Sequence, residues 1–238
     1  MMKTGIQLYS LRDYIAENGL EKGLKLISDA GFDGVEFAGF YGMSADEIKR
    51  LLDKYALTAF SAHIGTANIS AELPTALDLG IRNIVEPCLA LDNSDVFDKA
   101  VDDLTRLAAY LRERGVALGY HNHAHEFKNG ADFVTELAER VHGLTVEPDV
   151  FWLAVSGVDA CGFIEKNRDR ISLVHIKELG ENYEAVNPVT GEGRARLAEV
   201  LDKCKQIGAE WAVLEIEKTD MPLADYLTRC CAFMREHA

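Results

Sequence analysis

Short apolar segments alternate with segments of helical periodicity along the whole chain, and this alternation restricts the fold more than any other feature. The apolar segments predict β-strands at 4–10, 33–39, 57–65, 82–90, 116–123, 144–152, 171–179 and 211–217. The amphipathic segments between them predict helices at 19–31, 44–56, 71–80, 94–115, 131–141, 159–169, 194–208 and 222–237. Strands that alternate with helices in this way are typical of a parallel sheet.

The number of units predicts how that sheet is arranged. Eight strand–helix units within 238 residues predict a closed (β/α)8 barrel, the TIM barrel of the α/β class, as a single domain over residues 1–238. A doubly wound open sheet is the alternative. Because no G-x-G-x-x-G sequence follows a predicted strand, the dinucleotide-binding form of that alternative lacks its main support.

Charge and composition exclude some classes of partner. The formal net charge of −14 argues against nucleic acid, because binding to a phosphate backbone needs a basic face. No apolar run is long enough to cross a bilayer, so we expect no membrane span. The five cysteines lack the spacing of a disulfide framework, and the first residues lack an apolar signal segment. These features predict a cytoplasmic protein with free thiols.

Polar residues are concentrated at the carboxyl ends of the predicted strands, whereas the amino-terminal halves of the strands are mostly apolar. Active sites of α/β barrels lie at the carboxyl ends of the strands. The polar residues at these ends are Gln7, Tyr9, Glu36, His63, Glu86, His121, His123, Glu126, Glu147, Asp149, His175, Lys177, Glu178, Glu215 and Glu217. Their distribution therefore predicts a site at this end of the barrel.

The chemistry of these residues favours a metal site. A histidine, a carboxylate from strand six, a histidine from strand seven and a glutamate from strand eight would form a mixed nitrogen and oxygen site, which suits Mn²⁺, Zn²⁺ or Co²⁺. Asp149, His175 and Glu215 would otherwise be buried or half-buried charges, which are costly unless they are paired or bound to a metal. A single histidine such as His63 can equally be hydrogen-bonded structure.

Several segments together resemble the xylose isomerase-like TIM barrels, the group of sugar phosphate isomerases and epimerases. The segments are "GIQLYSLRD", "GFDGVEFAGFYG", "LGYHNHAHEF", "DVFW", "SGVDACGFIEKNRDRISLVHIKE" and "TGEGRARLAEVLDKCKQIGAEWAVLEIE", and the likeness covers nearly the full length. The resemblance implies one divalent metal (Mn, Zn, Co or Mg). Its ligands would be a strand-five carboxylate together with Asp149, His175 and Glu215.

The strand-five position departs from the pattern of the family. Many members read Glu-Asn-His there, whereas this chain reads His121-Asn122-His123. Either His121 takes the place of the ligand, or Glu126 reaches the metal from beyond the strand. The alignment favours His121, and Glu126 stays a candidate ligand or base.

The resemblance also implies a reaction. A carboxylate, Glu215 or Glu126, would remove a proton next to the carbonyl of a ketose, aldose or related polyol ketone and form an enediolate. Lys177 would stabilise the oxyanion or donate a proton. The sugar would be held by Gln7, Glu36, His63, His123 and Trp152. The product would be an isomer or an epimer.

Other functions stay open at this point. A metal-dependent lyase on the same fold, either an inosose-type dehydratase or a keto-glycoside-cleaving enzyme, would begin with the same enediolate. A nuclease that acts on abasic DNA is disfavoured by the acidic charge. A sugar-binding relative without a metal is a further alternative. The isomerase, the epimerase and the lyase would each act on a small sugar. A homodimer is also compatible with the resemblance.

Overall fold

A computed structural model describes residues 2–91 and 94–238 of the chain. The described strands are β1 (Lys3–Gln7), β2 (Gly34–Ala38), β3 (Thr58–His63), β4 (Asn83–Glu86), β5 (Ala117–His121), β6 (Thr145–Glu147), β7 (Leu173–Ile176) and β8 (Trp211–Leu214). The described α-helices are α1 (Arg12–Asn18), α2 (Leu20–Ala30), α3 (Ala45–Tyr55), α4 (Ile69–Asp78), α5 (Ser94–Arg112), α6 (Phe133–Arg140), α7 (Val150–Val155), α8 (Ala160–Lys166), α9 (Leu197–Ile207) and α10 (Leu223–His237). Short 3₁₀ segments lie at Leu8–Leu11, His125–Gly130 and Arg168–Arg170.

The eight described strands form one parallel sheet in the order β6-β5-β4-β3-β2-β1-β8-β7. Its two outer strands meet through a single parallel bridge between Asp149 and His175. The backbone N–H of His175 donates to the carbonyl oxygen of Pro148 at 2.9 Å beside this bridge. The sheet is therefore a nearly closed barrel, which confirms the predicted TIM barrel over the open sheet.

In two segments the structure has a helix where none was predicted. The first predicted strand, 4–10, ends at Gln7, and helix α1 follows where no helix was predicted. The sixth predicted strand, 144–152, ends at Glu147, and its second half forms helix α7. Asp149 explains this change, because its side chain accepts hydrogen bonds from the N–H groups of Phe151 and Trp152 and so caps the helix.

The helices pack their apolar stripes against the outside of the barrel. Helix α3 illustrates how local sequence sets a boundary, since Ser44 and Glu47 form a reciprocal capping box at its start. Its buried residues are Ile48 and Leu52, one turn apart. Within the described parts of the chain, no helix combines the length and apolar character needed to cross a bilayer.

The lower interior of the barrel is filled by a small apolar cluster of Phe60, Val85, Leu173, Trp211 and Val213. The rings of Phe60 and Trp211 stack with their centroids 4.0 Å apart. Glycine is required where Gly5 faces this pair, because a Cβ at Gly5 would lie 2.4 Å from the ring of Phe60. Since side chains on a strand alternate between faces, His175 follows Leu173 and Glu215 follows Val213 toward the carboxyl end. The polar site thus lies closer to the carboxyl ends of the strands than this apolar cluster.

Candidate active site

A cavity of about 540 Å³ opens at the carboxyl ends of the strands. The residues proposed from the sequence that line it are Gln7, His63, His121, His123 and Glu215. They come from β1, β3 and β5, from the residues just after β5, and from the residue just after β8. Polar side chains from distant parts of the sequence therefore face one enclosed space.

Four of the predicted residues form a compact quartet beside this cavity: His121, Asp149, His175 and Glu215. Each of them offers one ligand atom, and the four atoms lie within 4.8 Å of one another. His121 Nε2 lies 3.5 Å from Asp149 Oδ2, and His175 Nδ1 lies 3.0 Å from Glu215 Oε2. All four residues are buried. We call this set the upper quartet.

Several buried atoms of the upper quartet have no hydrogen-bond partner among the described residues. They are both ring nitrogens of His121, Asp149 Oδ2 and His175 Nδ1, whose 3.0 Å approach to Glu215 Oε2 is too poorly aligned for a hydrogen bond. Buried polar atoms are almost always hydrogen-bonded, so unpartnered atoms that converge in one place need an explanation. Two imidazoles and two carboxylates are a ligand set that suits Mn²⁺, Zn²⁺ or Co²⁺. The residues present therefore fit the metal that the resemblance implies.

Asp149 is held in place through both its backbone and its side chain. Its Oδ1 accepts hydrogen bonds from Phe151 N at 2.8 Å and Trp152 N at 3.3 Å, which leaves Oδ2 directed elsewhere. The side chain of Asn122 accepts from Asp149 N at 3.0 Å and donates to Asp149 O at 3.4 Å. Sequence analysis missed this positioning role of Asn122, although its place between two site histidines could have indicated it.

The second ring nitrogen of His175 is held by Glu36. His175 Nε2 lies 2.8 Å from Glu36 Oε1, and Gln7 Nε2 donates to the same oxygen at 2.8 Å. A metal-ligating histidine commonly donates its other N–H to a carboxylate, which fixes the tautomer and the ring orientation. Burial raises the pKa of Glu36, but the charges of His63 and His175 outweigh burial and hold it at about 2. Glu36 therefore stays an acceptor.

A second quartet shares His175 and adds Glu36, His63 and Glu147, with one possible ligand atom from each lying within 4.8 Å of the others. His63 Nε2 lies 2.7 Å from Glu147 Oε2 and 3.2 Å from Glu36 Oε1. Burial lowers the pKa of His63, but the two carboxylates raise it above its usual value. Burial and the charge of Glu36 raise the pKa of Glu147. Glu147, one of the polar residues at the predicted strand ends, thus forms a buried pair with His63.

Lys177 lies beside Glu215 and is fully buried. Its Nζ donates to Glu215 Oε1 at 3.1 Å and to Glu217 Oε1 at 2.8 Å, and it lies 5.2 Å from the ring centroid of Trp152. Burial lowers the pKa of Lys177, but the charges of Glu215 and Asp149 raise it above its usual value. Burial raises the pKa of Glu215, and Lys177 and His175 bring it well below its usual value. Glu215 is therefore a carboxylate at neutral pH.

The structure does not bring Glu126 into either quartet. Glu126 is fully buried, its Oε1 accepts from the hydroxyl of Tyr120 at 2.7 Å, and its Oε2 accepts from His123 N at 3.0 Å. The His123 ring lies on the cavity wall with its centroid 5.4 Å from that of Trp152. Burial lowers the pKa of His123 to about 4, so this ring is neutral at physiological pH. Glu126 holds the turn that presents His123.

Two other carboxylates at strand ends anchor loops. Glu86 accepts from the N–H and the hydroxyl of Thr66, both at 2.6 Å. Glu178 accepts from Gly191 N and Ala195 N, both at 2.9 Å, and so holds the loop after β7. The polar residues at the strand ends therefore divide into those that form the quartets and those that fix the surrounding loops.

Comparison with known proteins gives a consistent family and fold. Residues 24–237 match the family described as the xylose isomerase-like TIM barrel. The rhizopine catabolism protein MocC of Rhizobium meliloti is 25% identical over an alignment of 246 positions, which covers 84% of this chain and 75% of that protein.

Solved structures agree on the fold. A sugar phosphate isomerase/epimerase from Parabacteroides distasonis superposes with a TM-score of 0.81 at 21% identity, covering 98% of this chain and 93% of the other. An L-ribulose 3-epimerase superposes with a TM-score of 0.80 at 17% identity, covering 100% of this chain and 94% of the other. At these identities the superpositions show the fold, and the family match extends over most of the sequence. The chain belongs to the xylose isomerase-like TIM barrel family.

Proposed function

We propose that the protein is a divalent-metal-dependent sugar isomerase or epimerase that acts on a ketose, an aldose or a related polyol ketone through an enediolate. The observation that carries this proposal is the upper quartet, whose unpartnered buried atoms converge next to a cavity of about 540 Å³. A cavity of this size is in the range that holds small-molecule ligands. The five cysteines, all free, support a reducing, cytoplasmic compartment.

The metal would be held by His121, Asp149, His175 and Glu215. When bound there, a divalent cation would polarise the carbonyl of the sugar and stabilise the negative charge of the enediolate. His121 takes the strand-five position in this proposal, because its ring belongs to the quartet whereas Glu126 is engaged with Tyr120 and His123.

The other residues of the site would handle the proton and the sugar. Glu215 lines the cavity and would take the proton from the carbon next to the carbonyl. Lys177 would keep Glu215 ionised and oriented through its 3.1 Å hydrogen bond. Neutral His123 would contact sugar hydroxyls from the cavity wall, and Gln7 and Glu36 would keep His175 oriented from below.

One observation favours a lyase as the second candidate. His63 lines the cavity and is held by two buried carboxylates that raise its pKa, so the cavity offers a second proton-carrying group besides Glu215. Loss of water or of an alcohol from the enediolate needs an acid to protonate the leaving oxygen. His63 would supply this acid in an inosose-type dehydratase or a keto-glycoside-cleaving enzyme.

Incubation with substrates in D₂O tests both candidates. Protein loaded with Mn²⁺ is mixed with a panel of ketoses, with inosose and with 3-keto-glucosides, and the products are followed by NMR. Deuterium next to the carbonyl without loss of water supports the isomerase or epimerase, and an unsaturated or cleaved product supports the lyase. Activity that survives complete metal removal, or survives in H175A, would contradict both. E86Q is the matched control, because Glu86 is a buried carboxylate at a strand end outside both quartets.

A further inference from the structure

A second depression lies beside the active-site cavity. It has a volume of about 430 Å³ and lies between helices α1 and α2 and the loop after β2. Tyr9 and Ala38 line both spaces, so the two spaces adjoin at these residues. We call this depression the outer groove.

The walls of the outer groove are apolar and aromatic. Besides Tyr9 and Ala38, the apolar and aromatic lining residues include Ile15, Leu20, Tyr41 and Met43. Tyr9 and Tyr41 are 47% and 37% exposed, which is high for large aromatic residues next to an enclosed site. The guanidinium of Arg12 also lines the groove, but it stacks on the Tyr9 ring at 4.2 Å and donates to the carbonyls of Tyr9 and Glu217.

The backbone of Tyr41 gives a second, independent indication. Its φ is +56°, in the left-handed region that residues other than glycine, asparagine and aspartate rarely adopt. Glycine occupies two nearby positions of the same loop, Gly39 and Gly42, both with positive φ. Strained backbone tends to occur at functional sites, and the loop that contains Tyr41 forms one wall of the outer groove.

We propose that the outer groove binds an aromatic group attached to the sugar in the cavity, so that the substrate is an aryl-substituted keto sugar. This inference rests on the proposed function, because it assumes that the sugar part lies at the upper quartet. An aromatic ring fits the groove better than a second sugar does. A sugar would need many hydrogen-bond partners, whereas the groove offers mainly two tyrosine rings and aliphatic side chains.

Binding of two glycosides that differ only in the attached group tests the proposal. Phenyl 3-keto-β-D-glucopyranoside and methyl 3-keto-β-D-glucopyranoside are titrated into the Mn²⁺-loaded protein by calorimetry. Stacking on the tyrosine rings should make the phenyl glycoside bind about tenfold more tightly. In Y41N this preference should fall below about threefold with the affinity for the methyl glycoside unchanged, since asparagine tolerates the backbone of Tyr41. Y41G, which also suits that backbone, should behave in the same way.

The matched control is Y110N. Tyr110 is 47% exposed and lines a separate depression between α4 and α5, so its substitution should leave the phenyl preference intact. Equal affinities in the unmodified protein, no binding of the phenyl glycoside, or an undiminished preference in both Y41N and Y41G would each overturn the proposal. Deuterium exchange on a simple ketose needs no aromatic group. Its absence would contradict the proposed function while leaving a measured phenyl preference to support the groove.

Discussion

The bridge that closes the barrel joins Asp149 to His175, two members of the upper quartet. The backbone N–H of His175 donates to Pro148 O at 2.9 Å, so the two side chains leave neighbouring points of adjacent strand ends. Their pairing across β6 and β7 depends on a single bridge, whereas the other neighbouring strands pair over two or more positions. A cation shared by Asp149 and His175 would therefore also strengthen the contact between β6 and β7, which has the fewest paired positions in the barrel.

Metal binding should stabilise the protein against heat. With metal at about a thousand times its dissociation constant, binding to the folded state alone contributes about 4 kcal/mol. For a chain of this length that corresponds to a rise in Tm of about 10 °C. Differential scanning fluorimetry of metal-stripped protein with and without Mn²⁺ measures this rise. D149A and H175A should each lose it, and an equal rise in either variant would place the metal elsewhere.

Metal affinity should increase with pH. Burial lowers the pKa of His175, but the carboxylates of Glu147, Glu215 and Glu36 outweigh burial and raise it well above its usual value. Below that raised pKa a metal must displace the proton on Nδ1, so affinity should rise by up to about tenfold per pH unit and then level off. Calorimetry in buffers of different ionisation enthalpy counts the protons released. An affinity independent of pH between 5.5 and 8 would show that His175 binds the metal without losing a proton.

The same shift predicts the stability of the metal-free protein. Because the folded-state pKa of His175 is raised, the charged ring stabilises the fold fully below the pKa of the unfolded chain, and this contribution is lost as pH rises through the folded-state value. The rise in Tm caused by the metal should therefore be larger at pH 8 than at pH 6. A smaller rise at pH 8 would contradict this sign.

Glu36 should control the metal without binding it. Its Oε1 holds His175 Nε2 at 2.8 Å, and loss of such a carboxylate partner typically costs about 10-fold to 100-fold in metal affinity. E36Q is therefore expected to weaken Mn²⁺ binding by this factor while the stoichiometry stays at one metal per chain. E86Q removes the charge of another buried strand-end carboxylate and should leave the affinity unchanged. If E36Q loses one of two bound metals, the lower quartet of Glu36, His63, Glu147 and His175 holds a metal of its own.

The alternation of strands and helices was sufficient to predict the barrel and the end at which polar residues gather. It could not predict that the segment after Glu147 turns into a helix, because "VFW" has strand-like composition and only the cap formed by Asp149 decides the outcome. The pairing of Glu147 with His63 was equally hidden, since it joins residues 84 positions apart in sequence. Contacts across the barrel depend on strand register and stagger, which the sequence of one strand does not encode.

For the identity of the strand-five ligand, the sequence and the structure give the most different information. The family resemblance favoured His121 and kept Glu126 as a candidate, and in the structure His121 belongs to the upper quartet while both oxygens of Glu126 are engaged with Tyr120 and His123. H121A should therefore reduce Mn²⁺ affinity by at least about 100-fold, because a ligand is removed outright. E126Q should bind Mn²⁺ nearly as well as the unmodified protein, since Glu126 would touch no metal.

E126Q should be less stable than the unmodified protein, although its affinity for Mn²⁺ is nearly unchanged. Removal of the buried charge of Glu126 should lower the free energy of unfolding by about 1–3 kcal/mol, because the hydroxyl of Tyr120 and the N–H of His123 lose a charged acceptor. Y120F is the matched control, because it removes the hydroxyl that donates to Glu126 and leaves the carboxylate in place. Metal titrations and urea unfolding of H121A, E126Q and Y120F test these predictions. A loss of metal in E126Q together with retention in H121A would move the strand-five ligand from the strand to the turn after it.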